Sequence, residues 1–116
     1  MLTSKDLRKW QKRLGLMDWH IVLKTNVIPS DMNLEDVCGE AEYVESTRMA
    51  IVRILDPNCY KGCITKFDQE KTLVHELLHL KLSFFMETGI DLHDRVAHQL
   101  IDDLARAFVD AERSKT

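Results

Sequence analysis

The stretch His75-Glu76-Leu77-Leu78-His79 decides the fold, because it sets two imidazoles and one carboxylate on one side of a helix. Each residue of an α-helix advances about 100°, so the two histidines stand about 40° apart around the axis and about 6 Å apart along it. Both rings can therefore reach one point in space. Glu76 lies on the flank of that face, too short to serve comfortably as a third ligand but able to touch a water held there. Leu73, Val74, Leu77, Leu78, Leu80, Leu82, Phe84 and Phe85 surround the segment on nearly all sides, which marks a buried central helix. The alternative is a solvated or hydrogen-bonded histidine pair. The apolar setting disfavours it, since polar groups inside such a helix are costly unless paired or bound to metal.

The spacing H-E-x-x-H is that of a zinc site in which the histidines ligate and the glutamate is the general base. A catalytic zinc takes three protein ligands and keeps one position for water, so the third ligand is sought in the last helix. The apolar stripe there reads Ala97, Leu100, Leu104 and Phe108. At about 100° per residue, His93 falls on its centre line, Asp94 about 100° away, His98 about 140° and Asp102 about 180°. His93 is the expected third ligand. Asp94 is the runner-up, either as a ligand or as the carboxylate partner of a ligating histidine. His98 and Asp102 are expected to face solvent. The extended motif H-E-x-x-H-x-x-G-x-x-H is excluded, because Leu82 and Phe85 occupy its glycine and third-histidine positions.

A chain of 116 residues is expected to form one domain, residues 1–116, with a single modest core. The net charge is −3, with lysines and arginines scattered among acids. No basic tract points to direct nucleic-acid binding. The segment from Met1 to Lys12 lacks the apolar run of a signal peptide, and no stretch approaches the about 20 apolar residues needed to cross a membrane. A cytoplasmic location is the expectation. The three cysteines, Cys38, Cys59 and Cys63, are an odd number and read as thiols. Cys59 and Cys63 have the spacing of half a structural zinc site, but no second pair completes it.

The fold class expected is α+β, with a small mixed sheet of about three strands. Ser4 to Leu14 reads as an opening helix with Leu7, Trp10 and Leu14 on one face. Trp19 to Val27 alternates as a strand, and Gly39 to Val44 with Met49 to Leu55 reads as a hairpin joined by Glu45 to Arg48. Asp56-Pro57-Asn58 stops the hairpin. The motif helix is expected to start after Thr65 or Asp68 and to reach about Met86, with Thr88-Gly89 ending it. A last helix runs from about Leu92 to Ala111. His20, Tyr43 and Tyr60 are read as packing or surface residues.

In this order of elements, and in His75, Glu76 and His79, the chain resembles the minimal zincin-like metallopeptidases of bacteria and phages, related to the SprT-like and gluzincin groups. The resemblance covers about Trp19 to Val109. It implies a buried H-E-x-x-H helix followed by a ligand-bearing helix, Zn²⁺ as cofactor and a protein or peptide as substrate. It also implies that an edge strand, here Gly39 to Val44, pairs with an extended substrate. Gluzincins supply a glutamate from the last helix, and this chain has none between Glu87 and Glu112, so His93-Asp94 stands closer to the SprT-like pattern. The expected function is zinc-dependent peptide hydrolysis with Glu76 as base. The alternative is a catalytically degenerate zinc-binding module that regulates or binds partners in a phage or mobile element.

Overall fold

Alternation of apolar and polar residues sorts three segments into one sheet. The computed structural model describes residues 2–62, 66–83 and 91–115, apart from the side chains of residues 91–95 and 97. Strands β1 (His20–Val27), β2 (Gly39–Val44) and β3 (Met49–Leu55) lie in the order β1-β3-β2. β1 runs parallel to β3 and β2 antiparallel to it, so the sheet is mixed. The hairpin stands where the sequence places it, and its connection ends at Arg48 in the left-handed region, with φ 53°. The mixed three-stranded sheet is the expected one; which neighbour β1 takes is read from the structure, because alternation fixes only which face a strand buries.

The inner face of the sheet carries Ala50, Val52 and Ile54 from β3, all buried, flanked by Ile21 and Leu23 of β1 and by Ala41 and Tyr43 of β2. Against it packs α2 (Gln69–Lys81). Leu73, Val74 and Leu77 have no exposed surface, and Leu78 and Leu80 have almost none. Fully burying one such side chain contributes about 1.5–3 kcal/mol, so α2 anchors the core. Asp68, one of the two expected caps, accepts the Lys71 N–H at 3.1 Å. The other, Thr65, lies outside the described residues. The helix closes at Leu82, whose N–H bonds the Leu78 carbonyl at 2.9 Å. That is short of the expected Met86, which with Thr88-Gly89 lies outside the described residues.

Two further α-helices complete the described residues. α1 (Ser4–Arg13) is capped by Thr3: the Asp6 N–H donates to the Thr3 hydroxyl, and the Thr3 N–H donates to the Asp6 carboxylate at 2.9 Å. Its Leu7 and Trp10 are buried, and the Trp10 indole N–H donates to Glu70 at 2.9 Å, tying α1 to the start of α2. No described helix is long and apolar enough to cross a membrane.

α3 (Asp91–Arg113) runs antiparallel along α2. A ladder of polar contacts sets its register: Arg113 to Asp68 at 2.7 Å, Lys71 to Asp110 at 3.3 Å and His75 to Asp102 at 2.6 Å. The face that α3 buries is not the expected one. Ile101, Ala105 and Val109 are buried, whereas Leu100 is 50% and Phe108 37% exposed. The helix carries two apolar stripes, and the one with the small Ala105 lies against α2, because a small residue lets two helix backbones approach closely. This turns His98 and Asp102, expected in solvent, towards the motif histidines.

Candidate metal centre

The four-residue spacing on α2 performs as helix geometry requires. His75 and His79 bring their Nε2 atoms to 3.0 Å of one another, with ring centroids 4.8 Å apart. From α3, His98 places its ring 4.8 Å from that of His79 and 6.3 Å from that of His75. One nitrogen from each of the three rings lies within 4.8 Å of the others. Among the described residues this cluster joins two i,i+4 pairs, His75 with His79 on α2 and His98 with Asp102 on α3, which meet face to face across the helix pair.

Asp102 orients His75: its Oδ1 lies 2.6 Å from His75 Nδ1, which donates to it, so Nε2 is the nitrogen turned towards His79. A carboxylate behind an imidazole in this way fixes the ring and raises its basicity as a ligand. His79 is pushed down to about 4, first by burial and then by His75 and His98, so its ring is neutral and its lone pair is available at neutral pH.

Glu76 points into the same region from the flank of α2 and is buried, with 7% of its surface exposed. Burial pushes its carboxyl up to about 8, and the negative charges of Glu40 and Asp102 add to the shift. A cation close by would favour its carboxylate form. Glu40 itself is charged: burial would raise it, but the Asn33 and Leu34 N–H groups and the Arg53 guanidinium outweigh that and hold it below the usual carboxylate range. Those contacts, 2.9–3.0 Å long, tie Asn33 and Leu34 of the segment before β2 to Glu40.

These groups line one open cleft of about 1020 Å³ between α2 and α3 on one side and β2 with the segment before it on the other. β2 is a sheet edge. The Leu55 N–H bonds the Cys38 carbonyl at 2.8 Å, just before β2 begins. Because backbone groups alternate in direction along an antiparallel ladder, Gly39 and Ala41 turn their N–H and C=O groups away from β3, towards the cleft.

The donor set fits a borderline-soft divalent ion. Two nitrogens that share a tetrahedral zinc lie about 3.3 Å apart, given ligand distances of about 2.0–2.1 Å. The His75 and His79 atoms already stand near that separation. Three clustered imidazoles, a carboxylate behind one of them and a buried glutamate beside them supply the nitrogen donors and the acid that such an ion takes.

The residues expected from the sequence are thus distributed as follows. His75, Glu76 and His79 come together in the cleft. The side chains of His93 and Asp94 lie outside the described residues; His93 precedes His98 by five residues, about 7.5 Å along the helix axis. Sequence reasoning passed over His98 and Asp102, although their i,i+4 spacing beside the Ile101-Ala105-Val109 stripe was a signal for them. Tyr43 packs edge-on against Trp19, and Tyr60 stacks on Phe67 at 5.3 Å, as packing residues do. Cys59 is a free thiol, and Cys63 lies outside the described residues. No protein-family model matches the chain, and neither does any curated protein or solved structure.

Proposed function

We propose that the protein is a zinc peptidase of the zincin type, with His75, His79 and His98 as ligands and Glu76 as general base. The observation that carries the reading is the convergence of three imidazoles beside a buried glutamate in a cleft whose other wall is an exposed strand edge. In this proposal His98 takes the place expected of His93, because among the described side chains of α3 it is the histidine that stands against the motif pair. When bound, Zn²⁺ supplies Lewis acidity at the scissile carbonyl and makes a water nucleophilic at neutral pH.

The chain's own residues divide the remaining work. Gly39 and Ala41 offer backbone donors and acceptors to an extended peptide, which pairs with β2 as an added strand. Glu76 accepts the proton of the attacking water as the water oxygen bonds to the carbonyl carbon. It then gives that proton to the leaving nitrogen as the C–N bond breaks. Asp102 keeps His75 in the tautomer that presents Nε2. No serine or cysteine nucleophile is needed. An intact base beside the cluster favours an enzyme over a degenerate regulatory module, since a structural site has no use for it.

Metal removal tests this directly. The purified protein is expected to carry about one zinc per chain, and to hydrolyse fluorogenic extended peptides. Dialysis against a chelator should abolish hydrolysis, and stoichiometric zinc should restore it. Hydrolysis that persists in the metal-free protein would defeat the reading.

A further inference from the structure

We propose that Gly39 is a positioning residue: by carrying no side chain, it fixes the spacing between the edge strand β2 and helix α2, and so holds the peptide-pairing backbone against Glu76. The inference rests on the peptidase reading above. Gly39 is not needed for its conformational freedom, since it is not among the residues with positive φ. Glycine also weakens a strand, and within one it marks a place where something approaches closely. Here that something is α2. A Cβ at Gly39 would lie 2.6 Å from Thr72 Cγ2, 3.2 Å from the Arg53 carbonyl oxygen and 3.4 Å from Glu76 Oε2.

Neither neighbour can yield without loss. Thr72 is locked in its rotamer because its hydroxyl donates to the Asp68 carbonyl at 3.0 Å, which leaves the Cγ2 methyl aimed at Gly39. The Arg53 carbonyl belongs to β3, the paired neighbour of β2. Carbon–carbon contacts settle at about 3.5–4.0 Å, so an alanine at this position would push β2 and α2 apart by about 1 Å. The displaced backbone lies beside Glu76, whose Oε2 stands 3.4 Å from the Cβ position. A misplacement of that size lowers turnover by about 10²-fold.

The test compares Gly39→Ala, Thr72→Ser and the double variant, all as zinc-loaded full-length protein, with fluorogenic extended peptides as probe. Thr72→Ser keeps the hydroxyl bond to Asp68 and removes the methyl that a new Cβ would strike. Gly39→Ala should keep its zinc and lose about 10²-fold in kcat/KM, mainly in kcat. The double variant should recover most of that loss, and Thr72→Ser alone should match the wild type. Melting temperature gives an arm independent of hydrolysis: Gly39→Ala lowers it and Thr72→Ser in the same chain restores it. A zinc-loaded wild type that cleaves no peptide, with that melting pattern intact, contradicts the peptidase reading and upholds the spacing. Wild-type kcat and KM in Gly39→Ala overturn the proposal, as does a loss that Thr72→Ser does not recover.

Discussion

Glu76→Gln is expected to keep its zinc and its fold while losing about 10²–10⁴-fold in peptide hydrolysis, the usual contribution of a positioned general base. The amide has nearly the shape of the carboxyl and removes only the proton acceptor. Glu76 is buried on the flank of α2 and is not one of the three clustered nitrogens, so the ligand set is untouched. Its burial, together with Glu40 and Asp102, disfavours a negative charge there, so the neutral amide should not destabilise the protein. Zinc content by elemental analysis, melting temperature and kcat/KM are read on the same preparation. Zinc lost along with activity would mean that Glu76 belongs to the ligand set. If a zinc-loaded wild type cleaves nothing and both forms bind a partner protein equally well, the regulatory-module reading becomes the better one.

The second large effect is on the metal itself. His79→Ala and His98→Ala should each take zinc from about one per chain to none at micromolar protein, because two imidazoles rarely suffice for a site that uses three. His93→Ala should keep it. The contrast depends on the rotation of α3. His98 shares a side of the helix with Ile101 and Ala105, which face α2, whereas His93 lies about 140° around the axis from His98. Retention of zinc by His98→Ala and its loss in His93→Ala would restore the ligand assignment read from the sequence.

The position of His98, expected in solvent and found beside the motif pair, shows where the sequence was legible and where it was not. The motif helix announces itself, since Leu73, Val74, Leu77 and Leu80 surround His75 and His79 whatever the partner elements are. The hairpin of β2 and β3 is equally local: its alternation and its short connection lie within 17 residues. Pairings that join distant segments are different. Nothing in the alternation of β1 says that it lies parallel to β3. On α3, two apolar stripes compete, and the stripe of larger residues, with Leu100 and Phe108, looks the stronger. Close packing on α2 selects the other, because Ala105 lets the two helices approach while the polar ladder from Asp68-Arg113 to His75-Asp102 sets their register. The place of His98 beside the motif pair depends on that choice, so it could be read only after the helix pair was seen.

The central claim is that α2 and α3 together hold one zinc. It is tested most directly by anomalous diffraction at the zinc absorption edge from crystals of the purified protein. The account predicts one strong peak, among His75 Nε2, His79 Nε2 and the His98 ring, with Asp102 still on the Nδ1 side of His75. A peak coordinated by His93 or Asp94, a carboxylate oxygen of Asp102 in the place of His98, or no zinc at the cluster would contradict it.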